Sequence, residues 1–143
     1  MNRVLDAVET IETSLGILAD KRDVVDRETY RTSTEIQDVV ERRFVKMTEA
    51  TLDIGTTLVI DERGEPPSSN PATMRQLGAL GIVSADVADT MAEAARFRNV
   101  LAHTYGNAIE HDVVYDALSD LERYRTFVVE IRDYLDDIGA LDD

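Results

Sequence analysis

The sequence contains no cysteine and no tryptophan, and only 3 of its 143 residues are proline. Without cysteine the chain can form neither disulfides nor thiolate metal sites. It has no run of about 18 apolar residues, so no membrane-spanning helix is predicted. Arg3 and Asp6 stand where a signal peptide would be apolar, so we expect no such signal. Together these absences favour a cytoplasmic protein that makes no contact with membranes.

Basic residues are also scarce, since 15 Lys and Arg stand against 29 Asp and Glu, giving a net charge of −14. Only Lys21 and Lys46 are lysines. This composition is typical of a protein that works in concentrated intracellular salt, where the Debye length falls to about 3 Å at 1 M. The acidity argues against a broad electrostatic surface for nucleic acid. Any such binding must depend on a small local cluster of basic groups.

Apolar residues recur at three- and four-residue spacing along the whole chain, and no strand-like alternation is present. The spacing predicts five helices and a connection rich in charge: a helix over about 2–19, a connection over 20–27, a long helix from near Thr29, a short helix ending at Gly81, a fourth helix from Ser84, and a fifth over about 111–137. A segment that holds all three prolines, 62–71, is predicted to be a loop.

From these elements we predict one domain over residues 1–143, folded as an all-α, four- to five-helix up-and-down bundle. Hydrophobic residues make up 43% of the chain, which is enough for a real core at this length. Gly55 interrupts the apolar stripe of the long helix. It predicts either a local weakening or a close contact with another helix.

The two histidines occupy different contexts. His111 is predicted to be an exposed residue near the start of the fifth helix. His103 lies near the end of the fourth helix, between Arg98 and Tyr105. Asn99 shares a helix face with His103, whereas Arg98 is displaced from it by about 140°. One helix therefore does not direct Arg98 and His103 at one atom, but two such helices packed across a two-fold axis could.

These residue types suit phosphodiester chemistry. A histidine can transfer a proton near neutral pH, and a guanidinium can hold phosphate oxygens as negative charge develops. An amide such as Asn99 can orient a hydroxyl or a water, and nothing here needs a metal or another cofactor. In the plainer alternative, His103 only interacts with its helix dipole and Arg98 pairs with Glu93 or Glu110 on the surface.

Other charged residues give weaker signals. Two acidic sets have helical spacing, but no histidine accompanies them at the spacing of a metal site, so solvated faces are favoured: Glu35, Asp38 and Glu41, and Asp116, Asp120 and Glu122. Arg96 adds a cation next to His103's helix segment and is a candidate contact for a polyanion. Further candidates, each more typical of a solvated helix face, are Arg42, Arg43, Arg123 and Arg125.

The pattern Arg98-x4-His103-x-Tyr105 matches the signature of HEPN-domain ribonucleases. The stretch from Phe97 to Tyr105 resembles the HepT-like branch of that family. Four further segments resemble this branch in the same order along the chain: Leu52 to Gly55, the Pro66-Pro67 loop, Leu77 to Ile82, and Val113 to Tyr115.

The resemblance implies a HEPN-like homodimer in which the motif-bearing helices face each other and RNA is cut without a metal. The ribose 2′-hydroxyl would attack the adjacent phosphate, with His103 as acid and base, Arg98 as phosphate clamp and Asn99 as a supporting polar residue. It also implies that the protein is a toxin paired with a minimal nucleotidyltransferase (MNT) antitoxin, which transfers AMP to Tyr105. Such a phosphate ester would block the cleft and repel RNA.

Two other interpretations stay open. In the first, the domain is a non-catalytic subunit that binds nucleotide or substrate for a two-component nucleotidyltransferase. In the second, it is a structural helical dimer with a degenerate motif. The presence of Arg98, His103 and Tyr105 together disfavours the second, because decay should have removed at least one of them.

Overall fold

The structure is a computed structural model that describes residues 1–102 and 109–141. These residues form seven α-helices and one 3-10 turn, and they contain no strand. In chain order the elements are α1 (Asn2–Val24), α2 (Arg27–Thr32), α3 (Thr34–Arg63), α4 (Asn70–Ala79), α5 (Ala85–Ala102), α6 (Ile109–Ala117), the turn Leu118–Asp120, and α7 (Glu122–Asp137). Within this part of the chain, no helix is both long and apolar enough to cross a membrane.

Four long helices, α1, α3, α5 and α7, pack in a ring, and α4 lies against α3 and α5. Three hydrogen bonds between helices fix their directions: Arg3 to Asp53, the Ser84 amide to Glu130, and Tyr134 to Glu62. Consecutive bundle helices therefore run in opposite directions. The predicted all-α up-and-down bundle is confirmed, and the shorter helices serve as its connections.

The core fills the space enclosed by this ring. Its largest fully buried side chains include Tyr30, Phe44, Tyr124 and Phe127, each at most 1% exposed. Most apolar residues at the predicted helical spacing point into it, but Val39 of α3 is 40% exposed. The neighbouring Val40, which the spacing assigns to the apolar stripe of that helix, is fully buried.

The connection after α1 is shorter than predicted, because most of its residues are helical. Helix α1 continues through the charged residues to Val24, since Val25 still packs into the core with 7% exposure. Directly afterwards the Asp26 carboxylate accepts a hydrogen bond from the Thr29 amide at 2.7 Å and caps the short helix α2. The predicted connection over 20–27 is thus mostly helix, and the true break is confined to two residues.

The long helix begins at Thr34 rather than near Thr29, because Ser33 interrupts it. Ser33 adopts an extended backbone, and its hydroxyl accepts a hydrogen bond from the Ile36 amide. A serine that satisfies a free amide in this way favours a helix start over a helix interior. Tyr30, which the spacing placed on the long helix, lies on α2 instead.

The last predicted helix is also divided, with a 3-10 turn between α6 and α7. Leu118 and Leu121 are both buried, at 2% and 1% exposure. In a 3-10 helix, residues three apart lie on the same side, so the tighter turn directs both leucines into the core. The period of the apolar residues is preserved across the turn, which explains why spacing alone predicts one continuous helix.

Two glycines allow helices to approach closely. A Cβ on Gly55 would lie 2.5 Å from Thr73 Cγ2 and 2.7 Å from Met74 Cε. A Cβ on Gly78 would lie 2.6 Å from the Cβ of Ala88. Gly55 therefore marks a close contact between α3 and α4, which settles the alternative that the sequence left open.

The Gly78 contact gives a stability prediction. We expect Gly78→Ala to lower the free energy of unfolding by about 1–3 kcal/mol, because the Ala88 methyl group cannot rotate away from the new Cβ. Gly16→Ala is the matched control, since nothing lies within 4 Å of its Cβ position; it should raise stability by about 0.5–1 kcal/mol.

Urea denaturation of both variants measures the difference. The double variant Gly78→Ala, Ala88→Gly should recover stability relative to Gly78→Ala alone. Equal effects at positions 16 and 78 would show that α4 and α5 do not approach as described.

Candidate active site

Arg98 is held at the rim of the core by its neighbours on α5. Phe97, which precedes it, and Leu101, three residues after it, are 7% and 8% exposed. The Phe97 ring meets the Phe44 ring of α3 edge to face, with 5.3 Å between the ring centroids. This contact locks α5 against α3, and the Arg98 side chain, 42% exposed, emerges along the line where the two helices meet.

Arg98 makes an ion pair with α3. Its Nε donates a hydrogen bond to Glu49 Oε1 at 2.9 Å. The sequence offered Glu93 or Glu110 as a surface partner, but the observed partner is 49 residues away in the chain. A small cavity beside the pair is lined by Val45, Glu49, Arg98 and Leu101.

Two grooves meet at Glu49. One runs between α1 and α3 and includes Arg3 and Lys46. The other runs from Arg98 past Leu52 and Thr56 of α3 to Asn70 at the start of α4. The guanidinium of Arg98 thus stands beside an open surface rather than inside a closed pocket. An open groove suits a long polymeric substrate better than a small metabolite.

The other candidate residues of α5 lie on its exposed surface. Asn99 is exposed on α5. Arg96 is also exposed, but it lines a different groove, together with residues of α6 such as Asp116. The structure therefore does not bring Arg96 and Arg98 to one surface.

The predicted acid and base, His103, and the predicted AMP acceptor, Tyr105, lie outside the described residues. Their roles, and the predicted divergence of Arg98 and His103, remain predictions. The structure fixes the helices on either side of them. Helix α5, which carries Arg98, precedes them in the chain. Helix α6 follows them and packs against α2.

Helix α6 is tied to α2 by charge. Asp112 accepts hydrogen bonds from Arg31 at 2.9 Å and from Arg27 at 3.2 Å. The bond from Arg31, followed by that from Arg27, holds the pKa of the Asp112 carboxyl below its usual range. The Tyr115 hydroxyl adds a bond to the Val25 carbonyl at 3.0 Å. The chain that returns after the motif is thus anchored at a defined place.

His111 is not the exposed residue that its sequence position predicted. Its side chain is 25% exposed, and Nδ1 lies 3.3 Å from Glu41 Oε1. The Tyr30 ring meets it edge to face, with 6.2 Å between the ring centroids. No local pattern could reveal this environment, because it is built from α2, α3 and α6.

Two of the remaining charged candidates, Arg123 and Arg125, have structural partners. Arg125 pairs with Glu122 at 3.0 Å, and the Arg123 guanidinium lies over the Tyr124 ring at 5.5 Å. Among the residues that the structure describes, no group of three His, Asp or Glu side chains could hold a metal ion.

An up-and-down helical bundle that presents a groove-facing arginine near the end of one bundle helix, followed in sequence by His-x-Tyr, defines a HEPN-type domain. Residues 11–131 match the family described as ribonuclease HepT-like, and the chain belongs to that family. The predicted family is confirmed, and with it the predicted enzyme class, a ribonuclease.

A curated relative agrees with this assignment. The tRNA nuclease HepT of Aphanizomenon flos-aquae is 27% identical to this chain over 132 residues, covering 87% of this chain and 89% of the relative. The similarity therefore extends over nearly the whole of both proteins.

Solved structures of HEPN toxins share the fold. A mutant MntA–HpeT toxin–antitoxin complex matches with a TM-score of 0.79 at 18% identity, covering 93% of this chain and 99% of that one. The tri-AMPylated Shewanella oneidensis HEPN toxin in complex with its MNT antitoxin matches with a TM-score of 0.78 at 18% identity, covering 93% and 98%. The HEPN-like bundle is thereby confirmed as the fold.

Proposed function

We propose that the protein is the toxin of a toxin–antitoxin pair and that it cuts RNA internally without a metal ion. The observation that carries the proposal is the position of Arg98. It stands beside an open groove, in a stretch that resembles the motif of the ribonuclease family to which the chain belongs. In that place a guanidinium can bind the phosphate of a polymer as charge develops on it.

The proposed reaction uses the RNA's own nucleophile. The ribose 2′-hydroxyl loses its proton to a base and attacks the adjacent phosphorus, while the 5′-oxygen leaves and takes up a proton. The products are a 2′,3′-cyclic phosphate and a 5′-hydroxyl end. His103 would transfer these protons, Arg98 would hold the phosphate oxygens, and Asn99 would orient the 2′-hydroxyl.

A homodimer is part of the proposal. Helical spacing predicts that Arg98 and His103 diverge by about 140°, and on that prediction a shared cleft needs the motif of a second chain. Two copies of His103 in that cleft could serve as base and acid in the same step. Val45, which is 41% exposed beside the Arg98 cavity, supplies apolar surface for such a contact.

The proposed antitoxin is an MNT protein that transfers AMP from ATP to Tyr105. The Tyr105 hydroxyl would bond to the α-phosphorus and pyrophosphate would leave. The support comes from the similar structures, which are toxins bound to antitoxins, one of them tri-AMPylated. A charged ester near His103 would repel the RNA backbone and silence the enzyme.

The test is cleavage by the purified protein. We expect it to cut tRNA or other structured RNA in excess EDTA, leaving 2′,3′-cyclic phosphate and 5′-hydroxyl ends. Incubation with the MNT protein and ATP should stop the cleavage and add AMP to the intact mass. The Tyr105→Phe variant should remain active after the same treatment.

Three results would contradict this proposal. Cleavage that stops in EDTA would remove its metal-free mechanism. Silencing of the Tyr105→Phe variant would move the modification elsewhere. A protein that binds nucleotide but leaves varied RNAs intact would favour the non-catalytic subunit instead.

A further inference from the structure

The ion pair between Arg98 and Glu49 links the sequence motif to a residue outside it. Glu49 lies in the middle of α3, and its Oε1 accepts the hydrogen bond from Arg98 Nε at 2.9 Å. We propose that Glu49 is a positioning residue, which orients the Arg98 guanidinium toward the scissile phosphate. This inference rests on the proposed function and adds a residue to its site.

The choice of nitrogen matters for this role. A guanidinium is planar and carries five N–H donors in a fixed fork. A bond at Nε fixes the plane of the group while the donors of the two terminal nitrogens stay outside that bond. Two parallel N–H donors are what a phosphate accepts in bidentate contact. Glu49 thus holds the side of the fork that the substrate does not need.

The core sets the distance between the two partners. Thr48 and Ala50 on either side of Glu49 are 2% and 8% exposed, so this part of α3 cannot rotate or slide. The Phe44–Phe97 contact holds α5 at the same level. The two backbones are therefore rigid, and the ion pair only has to select one orientation of an otherwise mobile, 42% exposed arginine.

The charge of Glu49 separates this role from simple stabilisation. A carboxylate beside a phosphate site weakens the binding of RNA, because like charges repel. The same carboxylate raises the rate of the chemical step, because it keeps Arg98 aligned with the phosphate. Removing Glu49 should therefore lower kcat without raising KM, a combination that general loss of structure does not produce.

The experiment compares Glu49→Ala and Glu49→Gln with the same changes at Glu12. Glu12 pairs with Arg132 at 2.6 Å, and its side chain is 48% exposed against 52% for Glu49, but it lies between α1 and α7. We expect Glu49→Ala to lower kcat by about 10- to 100-fold with KM unchanged or lower. Glu49→Gln keeps the acceptor oxygen, so it should recover most of kcat. Both Glu12 variants should match the wild type.

A second readout does not depend on cleavage. The proton of the Arg98 Nε–H should exchange slowly with solvent in the wild type and in Glu12→Ala, and quickly in Glu49→Ala.

Two kinetic results would overturn the proposal. One is an unchanged kcat in Glu49→Ala, and the other is a raised kcat, which would make the ion pair an inhibitory contact.

Failure of the proposed function gives a different pattern. If neither the wild type nor any variant cleaves RNA, the proposed function is wrong and the positioning role falls with it. The exchange rate would still report whether the ion pair forms. Fast exchange of the Arg98 Nε–H in a wild-type protein that does cut RNA would show that Glu49 does not hold Arg98, and it would contradict the positioning role alone.

Discussion

His103→Ala is expected to lower RNA cleavage by about 10²–10⁴-fold, because it removes the group proposed to transfer protons to and from the ribose and leaving oxygens. Arg98→Ala should cost about 10²–10³-fold through the loss of phosphate stabilisation. Arg98→Lys should recover little of this, since an ammonium carries the charge but not the bidentate fork. All three variants should remain folded and keep the oligomeric state of the wild type.

The structure supplies a matched control for the arginine. Arg132 is 42% exposed, as Arg98 is, and it also pairs with one glutamate across a helix boundary. Arg132→Ala removes the same charge and the same kind of ion pair at a distant place. Its cleavage rate should equal that of the wild type. A similar loss in both arginine variants would assign the effect to charge or stability rather than to the motif.

Mixing two inactive variants tests whether the site is shared between chains. In a dimer of one Arg98→Ala chain and one His103→Ala chain, a composite cleft still receives an intact Arg98 from one chain and an intact His103 from the other. Activity should therefore partly return after subunit exchange. If each site were built within one chain, the mixture would stay inactive. A folded His103→Ala protein that still cleaves RNA would refute the proposed active site.

The sequence predicted the bundle because its apolar period is nearly continuous. Most of the buried apolar residues recur at that period, as Val8, Ile11 and Leu58 illustrate, each 0% exposed. The breaks did not follow in the same way. Ser33 ends one helix and begins another by a side-chain bond to the Ile36 amide, and the polar residues around it gave no period to interrupt.

The candidate site, too, could be predicted only in part from the sequence. Arg98, Asn99, His103 and Tyr105 follow one another along the chain, so their spacing could be compared with a motif. Glu49 could not be found in that way, because its partner is 49 residues distant and its neighbours form an ordinary amphipathic helix. Its only signal is the pairing of α3 with α5, which is a property of the fold.

Salt is expected to have the largest effect on the stability of this protein. Spreading the net charge of −14 over a sphere of about 19 Å radius gives a self-repulsion of roughly 13 kcal/mol at 0.01 M salt and roughly 3 kcal/mol at 1 M. The larger unfolded chain repels itself by only about 3 and 0.5 kcal/mol. Screening therefore favours the folded state by up to about 8 kcal/mol.

Ion pairs oppose this effect but do not cancel it. Most arginines of the described chain already have a carboxylate partner on the surface: Arg3, Arg22, Arg27, Arg31, Arg63, Arg98, Arg125 and Arg132. Salt weakens these pairs as well, yet exposed pairs are individually weak. Because acidic residues outnumber basic ones by 29 to 15, many carboxylates have no basic partner, and these carboxylates repel one another.

We therefore expect the midpoint of thermal unfolding to rise by about 10 °C or more between 0.01 M and 1 M KCl, since several kcal/mol are at stake in a domain of this size. Sucrose is the control for solute exclusion, because it stabilises folded proteins without screening charge. Neutralising the exposed Asp89 and Asp133 as Asp→Asn should flatten the response to KCl. A midpoint that stays constant or falls with KCl would show that pairing, not repulsion, dominates this surface.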